Sequence, residues 1–432
     1  MLVYLYLLLF FALPLSIENT SLGFGISLPS EILQLAIAAI LLYRWKDIHI
    51  VLLQYYRHPL LIGVGAYIIW GWATVPFAED IANSAKYTVI ETLHVLVFVI
   101  GFIYTAHFKK QLPQLLLGSY LLSLIPLLIR GWYMASKLDF VISFSLAALW
   151  PFYNDHTLYG ACIAMLLPFC LYYTFKSNSG QPLFGFTALL LAVGLFLSFS
   201  RAAWLSFIFA GVVTLLFYLL RNKPSSAIKF VSVFITLSCC AVFLFFNVSQ
   251  RPEFVKNTTL QNQFLSSFNW SYDVANLERL NKFKCCWRMI QSRPFIGFGN
   301  NGFKYNYTQF QKPEEMTRIS LSDANVLARK GTGGNSHSEY LEMFVDLGLP
   351  GFIVWCSIVI GSVYFSLKEF LIYRNSFCLF VFFALSTFFI HGLVNSFLHE
   401  EKIAAFVWLC IASIPLAQGE RTKKFQVLDE CP

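Results

Sequence analysis

Apolar stretches of about 20 residues recur along this 432-residue chain, and each is long enough to cross a hydrocarbon core of roughly 30 Å as a helix. Charged residues make up 12% of the chain and hydrophobic residues 57%, whereas a soluble domain carries roughly 25% charged residues. A helix of this length satisfies its own backbone hydrogen bonds, as a segment surrounded by lipid must. The sequence therefore predicts an all-α polytopic membrane protein.

The apolar stretches predict about twelve membrane-spanning helices. Their approximate ranges are 1–17, 26–43, 59–77, 86–106, 112–130, 157–175, 182–199, 203–220, 228–247, 339–366, 376–398 and 403–418. The stretch 138–150 could be a further short or re-entrant segment. We expect four parts in order along the chain: helices over 1–247, a long polar loop containing helices over 248–338, helices over 339–418 and a tail over 419–432.

Lysine and arginine indicate the orientation, because short cytoplasmic loops carry an excess of both. With the N-terminus inside, the inner connections and the tail hold most of these residues. The short outer connections hold Lys86, Arg130, Lys137, Arg201 and Lys402. The loop 248–338 then lies outside, on the periplasmic or extracytoplasmic face. Basic residues outnumber acidic ones in it, which indicates either an anionic ligand or a solvated loop surface.

Four residues are candidates for a site on that side. Arg201 lies between two apolar stretches at the outer boundary, where an ionisable group usually faces a cavity or snorkels to the interface. Arg279 and Arg288 are nine positions apart on a helix predicted over about 273–290, so they point to opposite faces and only one is expected to face a site. His337 follows a glycine-rich segment and precedes a helix, and a neutral imidazole accepts a proton near pH 7.

Other kinds of chemistry lack their usual residues. The chain has no phosphate-binding P-loop and no H-E-x-x-H zinc motif, so the sequence does not indicate nucleotide hydrolysis or metal catalysis. Its ten cysteines form no C-x-x-C pair, and we expect them to pack as small apolar residues. We predict no metal, no cofactor and no nucleic-acid partner. The spans are expected to be nearly free of charge, apart from Glu91 and His94.

Three motifs, in this order, resemble those of the O-antigen ligase/polymerase superfamily. The stretch 198–205, SFSRAAWL, resembles its S-R-x-x-W-L element. Arg279 followed by 289–299, MIQSRPFIGFG, resembles R-x-x-x-W … M-I-x-x-x-P-x-x-G-x-G. The stretches 337–341, HSEYL, and 346–351, DLGLPG, are similar to H-N-x-Y-L … E-x-G-x-x-G. Phe283 stands where the family has tryptophan, and Ser338 stands where it has asparagine.

This resemblance implies a glycosyltransferase of the membrane-embedded C type. An O-antigen ligase of this type moves a polysaccharide from a polyprenyl (undecaprenyl) pyrophosphate carrier to a hydroxyl of lipid A-core at the periplasmic face, with inversion and without a metal or cofactor. The resemblance assigns binding of the donor pyrophosphate to Arg201 and Arg279, with Arg288 as a rival for the second position. It assigns removal of the acceptor proton to His337.

The sequence leaves other functions open. An O-antigen or exopolysaccharide polymerase would use the same motifs with a carrier-linked acceptor. A protein O-glycosyltransferase is less favoured, because that relative usually has a long outer C-terminal region. A transporter of lipid-linked glycans would also need outer arginines, but it would be expected to carry charged residues at the centres of its helices.

Overall fold

The computed structural model describes residues 1–19, 26–137, 149–176, 181–221, 274–315 and 334–429. The α-helices of these ranges are α1 Leu2–Ala12, α2 Ser30–Tyr43, α3 Trp45–Leu52, α4 Pro59–Thr74, α5 Ile81–His94, α6 Phe102–Phe108, α7 Leu112–Lys137, α8 His156–Phe175, α9 Gln181–Leu197, α10 Arg201–Arg221, α11 Val274–Ser292, α12 Gly302–Asn306, α13 Glu339–Leu371, α14 Ser376–His391 and α15 Glu401–Asp429. A π-helix, Val95–Gly101, joins α5 to α6.

The membrane character predicted from the sequence is confirmed. Within the described ranges, seven helices are long and apolar enough to cross a membrane: Pro59–Phe77, Ile81–Phe108, Leu112–Met134, His156–Phe175, Arg201–Arg221, Glu339–Leu371 and Glu401–Gly419. Shorter apolar helices occupy the predicted spans near 1–17, 26–43, 182–199 and 376–398. The predicted span 228–247 and most of the stretch 138–150 lie outside the described residues, so the count of twelve stays a prediction.

Two features differ from the predicted all-helical layout. A short antiparallel strand pair, β1 Ile17–Asn19 and β2 Ile26–Leu28, joins α1 to α2, with Glu18 opposite Ser27. The last helix also continues past the predicted end of its span at 418 and reaches Asp429.

Aromatic rings from three helices form the centre of the protein. Trp355 of α13 and Trp408 of α15 are fully buried, and the ring of Tyr67 from α4 lies 5.8 Å from that of Trp408. Large aromatic side chains bury much apolar surface in fixed geometries. In contrast, Ile69 and Leu220 are exposed on the outer surface, as expected of side chains that face lipid. The core therefore depends on packing between helices that are far apart in the sequence.

A kink at Gly348 divides α13. Its backbone has φ 64° and ψ −171°, a region that is essentially restricted to glycine. The carbonyl oxygens just before the kink accept hydrogen bonds from outside their own helix. Phe298 N–H donates to Val345 at 3.0 Å, Gly299 N–H donates to Asp346 at 2.8 Å, and the indole N–H of Trp70 donates to Leu347 at 2.7 Å.

The donors to this kink come largely from the turn that follows α11. The stretch 297–302 has the spacing G-x-G-x-x-G, which in other folds forms a phosphate-binding turn. Here its Phe298 and Gly299 amides point at α13, and the amide of Phe303 donates to Oδ1 of Asp346 at 2.7 Å. The turn therefore attaches the polar loop to the membrane helices and does not present these amides to a ligand.

We predict that Gly348→Ala destabilises the protein by at least about 2 kcal/mol, because the left-handed backbone alone disfavours a side chain by about 1–2 kcal/mol. The added methyl would also collide with the backbone of Phe295. Thermal unfolding in detergent would measure the loss. Gly65→Ala is the matched control, since a methyl there meets nothing within 4 Å. Equal melting temperatures for the two variants would contradict this account of the kink.

Candidate functional site at one end of the helix bundle

The starts of α8 and α10 lie side by side. These helices are separated along the chain by α9 and two short connections, so they run in the same direction and begin on the same side of the membrane. His156 opens α8 and Arg201 opens α10. Nδ1 of His156 lies 2.8 Å from the carbonyl oxygen of Ser198, which ties α8 to the turn that presents Arg201.

Close packing fixes the turn before Arg201. A side chain at Gly160 would meet Oγ of Ser198 at 2.9 Å, so glycine allows the turn to lie directly on α8. The indole N–H of Trp204 donates to the carbonyl of Leu195 at 2.6 Å. Trp204 therefore links the end of α9 to the start of α10, and the backbone at Arg201 has a defined direction.

The two arginines of α11 have different surroundings. Arg288 donates to the carbonyl of Phe310 at 2.7 Å and, through both terminal nitrogens, to Glu315 at 2.7 and 3.2 Å. The hydrogen bond from Arg288 also lowers the pKa of Glu315 below its ordinary value. Arg279 lies on the opposite face of the helix, as the nine-residue spacing predicts. Its charge acts on His156, His337 and His391, so this face of α11 looks toward α8, α13 and α14.

The C-terminal half of α11 is packed. Cys285, Cys286, Met289 and Ile290 are buried against the turn that carries Phe298, and burial raises the pKa of the Cys285 thiol to about 12. The sequence expectation that these two cysteines pack agrees with this arrangement.

His337 is held in a strained turn immediately before α13. Its φ of 58° lies in the left-handed region, which few residues other than glycine adopt. On one side, the N–H and the hydroxyl of Ser336 donate to Oε2 of Glu342 at 2.9 and 2.7 Å. On the other, Oγ of Ser338 accepts from the amide of Leu341 at 3.4 Å and caps α13. Serine and asparagine are both good N-caps, so Ser338 can take the place of the family's asparagine.

The imidazole of His337 is uncharged at neutral pH. Burial, followed by the charges of Lys282 and Arg279, lowers its pKa to about 3. Nδ1 is buried and has no hydrogen-bond partner in the part of the chain that the structure describes. Asn395 hydrogen-bonds the ring of His337 and its amide nitrogen lies 2.7 Å from Nε2 of His391. A neutral imidazole with an open ring nitrogen can accept a proton.

A buried carboxylate cluster lies behind this turn. Nδ1 of His399 is 3.1 Å from Oε1 of Glu91, and Nε2 is 3.8 Å from Oε1 of Glu342. Burial lowers the pKa of His399, but the hydrogen bond and charge of Glu91, with the charges of Glu342 and Glu339, raise it to about 10. His399 is therefore protonated at neutral pH. It joins α5 to the helix that begins just after His337.

The spans were expected to be nearly free of charge apart from Glu91 and His94. This cluster adds two buried carboxyl groups near the start of a predicted span, those of Glu342 and Asp346 of α13. The sequence does contain a signal for part of it, because Glu339, Glu342 and Asp346 are spaced by three and four residues and lie on one helical face.

The same cluster is the candidate metal site of the described residues. Ligand atoms of Glu342, Asp346 and His399 lie within 4.8 Å of one another. Metals bind the neutral imidazole, whereas His399 is protonated here and supplies positive charge to the carboxylates itself. This arrangement fits an ion-paired cluster better than a metal centre.

The apolar helices indicate an integral membrane protein. At this end of the bundle the candidate site residues are Arg201, Arg279, His337, His156 and His391. Residues 186–356 match the family model described as O-Antigen ligase, which confirms the resemblance to the O-antigen ligase/polymerase superfamily predicted from the motifs. A Haemophilus influenzae protein, itself described as uncharacterized, is 23% identical over 201 residues, or 46% of this chain and 47% of that relative. The match thus spans about half the length of this curated relative.

We predict that His399→Gln changes how stability depends on pH. The folded-state pKa of about 10 exceeds the unfolded value of roughly 6.5, so protonated His399 contributes its full stability below pH 6.5 and loses it as pH rises toward 10. Melting temperatures in detergent should show a large deficit of the variant at pH 6 that shrinks toward pH 10. His49→Gln, an exposed position, is the control. A deficit independent of pH would contradict the ion-paired role.

Proposed function

We propose that this protein is a glycosyltransferase that ligates a polysaccharide from a polyprenyl pyrophosphate carrier onto a hydroxyl of lipid A-core, at the periplasmic face of the bacterial inner membrane. The observation that carries the proposal is the neutral His337 beside the positive charge of Arg279, with a buried Nδ1 that has no hydrogen-bond partner among the described residues. The family match over residues 186–356 supports a reaction of the ligase or polymerase type. If the acceptor were instead a glycan linked to the carrier, the same reaction would be a polymerisation.

Arg201 and Arg279 would bind the donor pyrophosphate. Guanidinium groups bind phosphate oxygens through paired hydrogen bonds, and both arginines act on His156 from the same end of the bundle. Arg288 is the weaker candidate, because Glu315 and the carbonyl of Phe310 already engage its guanidinium. The arginines would also stabilise the negative charge that develops on the leaving pyrophosphate, which is the task that a metal ion performs in other transferases.

His337 would act as the general base. Its Nδ1, which has no hydrogen-bond partner among the described residues, takes the proton of the acceptor hydroxyl while the hydroxyl oxygen attacks the anomeric carbon. The bond from that carbon to the pyrophosphate breaks, and polyprenyl pyrophosphate leaves with the electron pair, so the configuration inverts. In the free protein burial, followed by the neighbouring cations, lowers the pKa of His337. A bound pyrophosphate would offset the cations and raise that pKa, because an opposite charge favours the protonated form. The base would therefore gain strength when the donor binds.

We predict that His337→Ala lowers kcat by about 10²–10⁴-fold, the usual contribution of a general base. Purified protein would be supplied with a polyprenyl-pyrophosphate glycan and lipid A-core in EDTA, with a second carrier-linked unit in a parallel reaction to detect polymerisation. Product formed in EDTA but lost in the variant is the expected result. Full activity in His337→Ala would contradict the assigned role.

A second prediction separates the two arginines of α11. Arg279→Lys should lower kcat/KM by at least about tenfold, since lysine cannot make the paired contact. Arg288→Lys should reduce stability, because the pair with Glu315 is weakened, and should keep kcat/KM close to that of the parent. The reverse pattern would assign the donor to Arg288.

A further inference from the structure

A groove of about 190 Å³ lies at the end of the helix bundle opposite His337. It is formed by the start of α1, the residue that follows α2, and the end of α6 with the residue after it. The other ends of α1 and α2 are near the candidate site, because Ser16 and Glu31 line one cavity together with Asn335. The distribution of lysine and arginine predicts that the side with the groove is cytoplasmic.

The lining of the groove combines apolar surface with two basic side chains. The charged residues are Arg44 and Lys109, and no carboxylate of the described residues lines the groove. The hydroxyl of Thr105 donates to the carbonyl of Gly101 at 2.7 Å, so its proton is already used. The uncharged side chains of the lining are those of Met1, Leu2, Val3, Tyr104, Thr105 and Phe108.

Neighbouring acids do not neutralise these two cations. Arg44 and Lys109 are exposed, and the ion pairs among the described residues include neither of them. Asp47 is near Arg44, since its backbone N–H donates to the Arg44 carbonyl at 3.0 Å, but its carboxylate forms no ion pair with Arg44. Each cation directly follows the C-terminal end of a helix, where the helix dipole favours positive charge. The fold thus holds two cations at the groove without a counter-ion from the described residues.

Exposed aromatic side chains place the groove at the membrane surface. Tyr43 and Trp45 flank Arg44, Phe108 precedes Lys109, and all three aromatic side chains are exposed. Tryptophan and tyrosine are enriched where hydrocarbon meets water. The cations of the groove are therefore at the level of the lipid headgroups, and its apolar part is beside the lipid chains.

Size and chemistry restrict what the groove can bind. Its volume is smaller than the roughly 300–1,000 Å³ of sites that enclose a whole small molecule, so it suits one segment of a larger molecule. Apolar surface favours an acyl chain, and arginine and lysine both bind phosphate oxygens. Basic pockets between membrane helices on the cytoplasmic side bind anionic headgroups in other proteins. A zwitterionic lipid would bring an ammonium group close to both cations, which is unfavourable.

We propose that this groove binds one anionic phospholipid of the adjacent leaflet. Its phosphate would lie at Arg44 and Lys109, and one acyl chain would lie along Leu2, Val3 and Phe108. A lipid bound in this way would join the start of α1 to the ends of α2 and α6. The inference does not depend on the proposed transferase reaction, because the groove and His337 lie at opposite ends of the bundle.

Binding of three related probes to the full-length protein tests the proposal. The probes are palmitoyl-oleoyl phosphatidylglycerol, which is anionic, the phosphatidylcholine with the same chains, and glycerol 3-phosphate, which has the phosphate but no chains. Native mass spectrometry in a neutral detergent measures the Kd of the first molecule bound. We expect a Kd for phosphatidylglycerol at least about tenfold lower than for phosphatidylcholine, since each basic residue near an anionic lipid contributes about fivefold. Glycerol 3-phosphate should not bind at the same concentrations, because it buries no methylene groups.

Matched variants separate this groove from general attraction to a basic surface. Arg44→Gln and Lys109→Gln should each raise the Kd for phosphatidylglycerol about fivefold and leave that for phosphatidylcholine nearly unchanged. The controls are Arg57→Gln and Lys46→Gln, which remove exposed cations outside the lining and should leave both values unchanged. Melting temperatures without added lipid check that all four variants fold.

Each outcome supports or overturns the proposal. Equal Kd values for the two phospholipids, or equal losses in the groove variants and their controls, would overturn it in favour of nonspecific attraction. Binding of glycerol 3-phosphate as tight as that of phosphatidylglycerol would make the groove a site for soluble anions and would also overturn it. Loss of glycan transfer in His337→Ala, with unchanged lipid binding, would support both proposals separately.

Discussion

Three carbonyl groups of α13 depend on donors outside their own helix, because Gly348 interrupts the helical pattern just beyond them. The donors are two amides of the turn that follows α11 and the indole of Trp70 on α4. Buried backbone groups are rarely left without partners, so the kink and the turn must form together. This contact fixes the position of the polar loop relative to the membrane helices. As a result, α11 places Arg279 toward His337. The position of the site thus depends on a backbone irregularity.

The two histidines that flank the start of α13 show how surroundings decide the charge of one side chain. Burial and then nearby cations keep His337 neutral, whereas the carboxylates around His399 keep it protonated despite its burial. Glu342 serves both, since it accepts from the backbone and hydroxyl of Ser336 and lies near His399. Protonated His399 lies beside the carboxylate of Glu342. That carboxylate accepts the two hydrogen bonds from Ser336 that fix the backbone next to neutral His337. The buried positive charge of His399 therefore helps to orient His337, the proposed general base.

Much of the fold could be predicted from local sequence, because membrane helices are determined by the length and polarity of contiguous stretches. The helix after residue 273 was likewise visible, and the nine-residue spacing of Arg279 and Arg288 correctly placed them on opposite faces. The residues that these arginines interact with could not be predicted from the sequence. The pairing of Arg288 with Glu315 requires the chain to turn back after Phe310. The Glu91–His399 contact joins residues separated by most of the chain, and no local pattern encodes such a distance.

The strand pair that joins α1 and α2 was also missed, since its strands are too short to produce an alternating pattern, yet it brings Glu18 to a cavity of about 330 Å³ beside the turn that carries His337. That contribution has a consequence for how this chain can diverge. Most residues that line this cavity lie before residue 186 or after residue 356, outside the family match, while Arg201, Arg279 and His337 all lie inside it. Substitutions in the outer ends of the early helices would therefore reshape the cavity and leave the residues proposed for catalysis and donor binding unchanged. Both ends of the gene can vary in this respect while its middle stays under constraint.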